Sequence, residues 1–329
     1  MNTLAPTLQT FFTDRLVRQR QVSDHTVAAY RDAIRLLLVF TADRTGKPPS
    51  RLDLADLDAP LIGAFLDHLQ HARGNSVRTR NARLAAIHSL FRHAALQRPE
   101  DAAVIARVLA IPPKRFDATL VTYLTEDEVD ALLATCDQAT WTGRRDRTLL
   151  MLACQTGLRA GELTHLRIGD VHLGAGPHVS CLGKGRKQRI TPLTPGTVAQ
   201  VRAWLTERGG HSDDPLFPTR TGTAMTRDAL ERRVATHAAT AAPTCPTLHE
   251  KKISPHTMRH TAAMRLVAAG IDSAVIALWL GHENLATTQM YIHADLALKE
   301  KALARTAPLH ATPGRYQPPD TTLAFLDAL

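Results

Sequence analysis

Between Ser23 and Asp43 the chain reads SDHTVAAYRDAIRLLLVFTAD, with apolar residues at Val27, Tyr30, Ile34, Leu37 and Leu38. Steps of three and four place these on one face of a helix, and Ser23 stands where an N-cap belongs. DAPLIGAFLDHLQ is a second amphipathic stretch. SVRTRNARLAAIHSLFRHA is a third, with Leu84, Ile87, Phe91 and Ala94 facing inward and the arginines elsewhere. The first hundred residues thus predict an all-helical unit. Pro112 and Pro113 in AIPPKRFDATL forbid a continuing helix, so a boundary is expected there. This divides the chain into a helical domain at 1–112, a linker at 113–119, a second domain at 120–310 and a tail at 311–329.

Beyond the linker, LTEDEVDALLATC restarts with Thr125 and the acidic first turn of a helix N-terminus. RRDRTLLMLACQTGLRAGELTHLRIGDV reads as a buried helix, a glycine turn and another helix. HVSCLGKGRKQRITPL alternates apolar and polar residues around Gly-Lys-Gly, the pattern of a β-hairpin. Helices resume from about Pro195. In ISPHTMRHTAAMRLVAAG, Ser254 is a cap, Pro255 a first helical position and Gly270 a C-terminal stop. The last residues, TTLAFLDAL, set Leu323, Leu326 and Leu329 on one side of a short helix, after the proline-rich PGRYQPPD. The fold class is mainly α with a small β-sheet: an all-helical N-terminal domain and an α+β domain.

Composition narrows the class. With 329 residues, 44% of them apolar, the chain can bury more than one core. No apolar run approaches the roughly 18 residues of a membrane span, and MNTLAPTLQTFFTDR lacks a signal-peptide layout. A cytoplasmic, nucleoid-associated protein without a membrane partner is expected. Cys136, Cys154, Cys181 and Cys245 lie far apart with no CxxC pair, which predicts reduced thiols, not a disulfide frame or a zinc site.

Charge then points to a partner. The net charge is +9. Residues 1–115 carry 17 Lys/Arg against 10 Asp/Glu, while the remainder is nearly balanced at 23 against 21. No acid occurs between Asp67 and Glu100, yet that interval holds Arg73, Arg78, Arg80, Arg83, Arg92 and Arg98, with His88 and His93 among them. A solvated helix face mixes signs; a one-sign segment is read as a surface for the DNA backbone.

Five places put polar groups at element ends, where side chains can converge. Arg159 in TGLRAGEL follows a glycine turn, with Glu162 one helical turn later. Alone, such a pair is an ordinary salt bridge. Lys184 in GKGRKQR sits between glycines that let a hairpin tip approach another backbone. His256, Arg259 and His260 share one turn. His256 and His260 at i, i+4 suggest a metal pair, but Arg259 lies between them and no glutamate completes H-E-x-x-H, so no metal is expected. His282 follows Gly281 in LWLGHENL, and Tyr291 lies nine residues further on. Arg159, Arg259, Lys184, His256, His282 and Tyr291, without a carboxylate cluster, describe a phosphodiester site. The arginines can clamp non-bridging oxygens, Tyr291 can attack, and Lys184 or a histidine can protonate the leaving oxygen.

In order and spacing, TGLRAGEL, GKGRKQR, SPHTMRH and LGHENLATTQMYIH resemble the catalytic boxes of the tyrosine site-specific recombinases, the phage-integrase family. The resemblance covers about residues 120–310, and the basic helical segment before it resembles the family's core-binding domain. It implies Arg159, Lys184, His256, Arg259 and His282 as the activating set, Tyr291 as nucleophile and Glu162 as support for the first arginine. Arg73, Arg78, Arg80, Arg83 and Arg92 are the expected DNA contacts. It further implies a C-shaped clamp on double-stranded DNA bearing specific core sites. Cleavage would pass through a 3′-phosphotyrosine and a Holliday junction, without metal, ATP or other cofactor. The free protein would be a monomer or weak oligomer and the synapsed complex a homotetramer, with accessory factors a further class of partner. Two rivals remain: a type IB topoisomerase-like enzyme, which reseals the same strand, and a non-catalytic DNA-binding regulator. The apolar tail, which can pack on its own catalytic domain or dock on a neighbouring subunit, speaks against the first where it docks in trans, and the intact boxes speak against the second.

Overall fold

A computed structural model describes residues 3–116, 121–183, 188–281, 288 and 291. The chain forms two compact units, Met1–Ala118 and Thr119–Leu329.

All regular elements among the described residues of the first unit are helical. Helix α1 (Ala5–Thr10) runs on into a wider π-type turn, Phe11–Gln19. Helix α2 (Asp24–Thr45) begins where Ser23 accepts from the Thr26 amide, and stops at Gly46, whose φ of 69° is left-handed. Asp58 caps α3 (Ala59–Asp67) and Ser76 caps α4 (Val77–Ala94) in the same manner, and α5 (Ala102–Leu109) completes the unit. Short oxygen-bearing side chains satisfy amides that a helix start leaves orphaned, at roughly 1 kcal/mol per cap. Phe11, Leu37, Phe65, Leu84, Ile87 and Phe91 meet in one core. The expected inward residues of α4 are buried.

Arg80 departs from expectation. It is only 5% exposed. It precedes Leu84 and Ile87 by four and seven residues, so its stem lies on their row, and its guanidinium donates to Asn81 at 3.1 Å. Arg80 is therefore withdrawn from the DNA-facing set. Arg98, in the same basic interval, is also buried, against Asp53 and Asp101 at 2.7 Å each. Arg73, Arg78 and Arg92 are exposed and Arg83 is half-buried.

In the second unit, helix α6 (Glu126–Ala134) opens with a reciprocal capping box between Thr125 and Glu128. The Glu128 carboxylate also accepts from Lys251 Nζ at 2.6 Å and Thr247 Oγ1 at 2.7 Å, which fastens the start of α6 to the chain ahead of Pro255. Helix α7 (Trp141–Thr156) ends at Gly157, with φ 63°, and α8 (Ala160–His165) follows. Strands β1 (Val171–His172), β2 (His178–Leu182) and β3 (Gln188–Pro192) form one antiparallel sheet in that order. Helices α9 (Pro195–Arg208), α10 (Arg227–Ala241), α11 (Pro255–Ala268) and α12 (Ser273–Leu280) complete the described part. Leu149, Leu152, Leu163, Val201 and Trp204 belong to its main core.

The β2–β3 hairpin forms, but β3 inverts the usual alternation. Val179 opposes Thr191 and Cys181 opposes Arg189, so these four share a face. Val179, Cys181 and Thr191 are buried, whereas Ile190 on the other face is 60% exposed. Arginine thus points to the interior and isoleucine to the outside. The hairpin tip with Lys184, His282, and the tail with Leu323, Leu326 and Leu329 lie outside the described residues.

Candidate active site

Arg259 enters from the first turn of α11. Ser254 accepts from the Thr257 amide, and Pro255 takes the position where a missing amide proton costs nothing. Arg259 is 2% exposed. Its Nη1 donates to the Gly157 carbonyl at 2.6 Å and its Nη2 to the Leu280 carbonyl at 2.7 Å. Both acceptors sit at helix ends, where carbonyls lack intrahelical partners. Burial, aided by the nearby Arg159 and Arg189 charges, pushes Arg259 down to about 10, still protonated at neutral pH.

Arg159 stands at the start of α8. Its Nη1 donates to Glu162 Oε1 at 2.8 Å, while its own amide donates to Glu162 Oε2 at 2.7 Å. Its Nη2 donates to the Gly281 carbonyl at 2.8 Å. The C-terminal end of α12, the negative pole of its peptide dipoles, therefore receives both arginines. The Arg159 side chain retains 34% exposure, leaving donors toward solvent where a phosphate can bind.

Glu162 has a second arginine. Arg189, from the inward face of β3, donates from Nη1 to Oε1 at 2.9 Å and from Nη2 to Oε2 at 2.7 Å. Burial pushes the Glu162 carboxyl up, but the Arg189 guanidinium, the Arg159 amide and the Arg159 guanidinium outweigh it and hold it below the usual value.

His256 is exposed on the first turn of α11. Desolvation of its ring, then the Arg259 and Arg159 charges, hold it below the ordinary histidine value, so it is neutral at neutral pH. Its ring meets His260 edge-on at 4.2 Å between centroids. His260 Nδ1 and the Tyr291 hydroxyl share a hydrogen bond of 3.0 Å. Tyr291 is 1% exposed and packs with Met264, Val267 and Leu280. Burial raises its phenol, against the opposing pull of Arg259 and Arg159.

Arg159, Glu162, Arg259, His256 and Tyr291 thus gather around the junction of α8, α11 and the end of α12. Three contributors lay outside the sequence reading: Arg189, the ring contact of His260 with Tyr291, and the carbonyls of Leu280 and Gly281. The outward isoleucine of β3 was the one available signal for Arg189, and it emerges only once the strand's facing is known. Among the described residues no group of three or more His, Cys, Asp or Glu is placed to hold a metal ion. No described helix is long and apolar enough to cross a membrane.

Sequence comparison matches residues 122–297 to the phage integrase family and residues 10–98 to the phage integrase N-terminal SAM-like domain. The protein named "Putative integrase/recombinase y4rC" of Sinorhizobium fredii is 51% identical, covering 99% of this chain and 98% of its own. Tyrosine recombinase XerC of Pelobacter propionicus is 34% identical over 91% of this chain and 94% of its own. The fold is similar to the XerH site-specific recombinase bound to palindromic difH substrate, with a TM-score of 0.68 and 24% identity over 85% of this chain and 79% of that one. It is also similar to the Tn1549 transposon integrase bound to transposon right end DNA, with a TM-score of 0.67 and 17% identity over 91% and 98%. The chain belongs to the phage integrase family and is a tyrosine recombinase, an enzyme of site-specific DNA recombination.

Proposed function

We propose that Tyr291 attacks the scissile phosphate to give a 3′-phosphotyrosine and a free 5′-hydroxyl. A 5′-hydroxyl from a partner duplex then reverses the step, and strands exchange through a Holliday junction. Arg159 and Arg259 hold the non-bridging oxygens, Lys184 protonates the leaving 5′ oxygen, and His256 and His282 complete the activating set, a neutral histidine taking the phenol proton that Tyr291 gives up. The scheme draws its charge compensation from side chains and conserves the phosphodiester energy in the tyrosine link, so it calls on neither metal nor ATP. The observation that carries it is the convergence of Arg159 and Arg259 on the end of α12, with Tyr291 packed against the same helix.

Because Tyr291 is 1% exposed, its ring must leave this pocket before the hydroxyl can meet a phosphate. Assembly on DNA supplies a trigger. Four copies on two paired core sites form the exchange complex, the free chain is a monomer or weak oligomer, and the apolar tail docks on a neighbour. The linker at 113–119 joins the DNA-gripping domain to the catalytic one, Arg73, Arg78, Arg83 and Arg92 contact the backbone, and the enzyme works with chromosomal DNA in the cytoplasm. Deleting 320–329 should leave DNA binding by single copies intact and abolish paired assembly.

A nicked suicide substrate tests the chemistry. The wild-type chain should accumulate a covalent adduct, and Y291F should bind the same DNA without forming one. Exchange between two sites separates recombination from resealing of one strand. Full-strength adduct from Y291F would assign the nucleophile elsewhere.

A further inference from the structure

Glu162 carries more positive charge around it than its role beside Arg159 requires. Its two oxygens accept both prongs of Arg189, at 2.9 and 2.7 Å, as well as the Arg159 guanidinium and amide at 2.8 and 2.7 Å. The Arg189 and Glu162 side chains are 9% and 7% exposed, whereas that of Arg159 is 34% exposed. The buried, two-pronged partner of the carboxylate is therefore Arg189, and Arg159 is its open, one-pronged partner. Coulomb energy is largest where water is excluded, so the Arg189–Glu162 pair compensates itself most strongly. The stem of Arg189 also runs beneath Gly281, where a Cβ would come within 2.8 Å of Arg189 Nη1. Gly281 is the residue whose carbonyl holds Arg159.

An Arg159–Glu162 pair alone would carry no net charge and would attract a phosphodiester weakly. With Arg189 added, the three groups sum to one positive charge, and the only guanidinium of the three with open donors is Arg159. We propose that Arg189 is a positioning residue of the cleavage site that acts through Glu162, occupying the carboxylate so that Arg159 keeps its charge for the scissile phosphate. This rests on the reading of Arg159 as a phosphate ligand. Arg189 touches neither phosphate nor tyrosine in the scheme; its hydrogen-bonded route to the site is the Glu162 carboxylate.

The test measures single-turnover formation of the Tyr291–DNA adduct on a suicide substrate at saturating DNA, in the full chain. R189M keeps the stem and removes the charge; it should slow adduct formation about tenfold or more while leaving DNA affinity within about threefold. Adding E162Q removes the charge that R189M uncovers, so the double variant should be faster than R189M alone. A part played only in holding the hairpin would make the double variant slower still. Wild-type rate in R189M, or a double variant no faster than the single one, overturns the inference. Should R189M fail to show a cooperative thermal melt, R189K decides: cleavage within about fivefold of wild type supports a role through charge, and a loss as deep as that of R159A overturns it. R159A is also the control for the underlying reading. If R159A cleaves normally, the phosphate-ligand assignment fails; if R159A is inactive and R189M is normal, only the role of Arg189 fails.

Discussion

Arg159 and Arg259, one hundred residues apart in sequence, hydrogen-bond to consecutive carbonyls, those of Gly281 and Leu280, at 2.8 and 2.7 Å. Two like charges would separate if left to their side chains alone. The end of α12 holds them in register, and Gly157 supplies the third carbonyl of the arrangement, to Arg259 at 2.6 Å.

Gly157 is accordingly a sensitive position. Its φ of +63° is left-handed, and an added Cβ would lie 2.6 Å from Leu280 Cδ2 and 3.1 Å from Ala262 Cβ. G157A should cost roughly 2–4 kcal/mol in urea unfolding, from backbone strain plus overpacking. It should also lower adduct formation in the folded fraction, because Leu280 carries an arginine on its carbonyl. An unfolding midpoint equal to wild type would refute this.

Stability should depend on pH through His237. Its Nε2 lies 3.2 Å from Asp146 Oδ2 and its Nδ1 2.8 Å from Thr135 Oγ1, in a half-buried site. The Asp146 carboxylate, with Cys136 beside the ring, pushes His237 up to about 9. The folded chain therefore holds this proton more tightly than the unfolded chain, whose histidines titrate near 6.5. The stabilisation is complete below about pH 6.5 and is lost as the pH rises through about 9, on the order of 2 kcal/mol. H237Q should flatten the fall in urea midpoint across that window; parallel curves for the two proteins would count against it.

Arg80 and Arg92 lie on one helix and should behave differently. Arg92 is exposed, so R92A should weaken binding to all sequences alike and reduce the salt slope of DNA affinity by about one. Arg80 is buried, so R80A should leave that slope unchanged and instead cost about 1 kcal/mol of stability. A reduced slope in R80A would return it to the DNA surface.

Lys184, as general acid, should become dispensable when the leaving group needs no proton. K184A should be slow on ordinary DNA and largely restored by a 5′-bridging sulfur. Absence of rescue would point to phosphate binding by Lys184 instead.

Much of this arrangement was legible in the sequence where a rule acts over one or two turns. Ser23, Thr125 and Ser254 were readable as caps, and Leu84, Ile87 and Phe91 as an inward row, because capping and periodicity are local. Arg159 and Glu162 were readable as a pair three residues apart. Arg189 was not, since its link to Glu162 spans 27 residues and depends on which face of β3 turns inward. Arg80 carries a charge that favours the surface, yet its methylene stem follows the apolar row and it is buried in the free chain. The contact of His237 with Asp146 bridges 91 residues and follows from the packing of α10 on α6 and α8, which no local pattern encodes.

The carbonyls of Gly157, Leu280 and Gly281 give the site a blind spot to side-chain genetics. Every substitution at these positions keeps the carbonyl oxygen, so an alanine scan would record packing and strain there and never the loss of an arginine's acceptor. Replacing a backbone amide with an ester weakens the carbonyl that precedes it. An ester introduced by semisynthesis at the amide of Gly281 would weaken the Leu280 acceptor, and one at the following position that of Gly281. These changes should relax Arg259 and Arg159 separately with every side chain retained, the first also removing the Gly281 amide donor that caps α12.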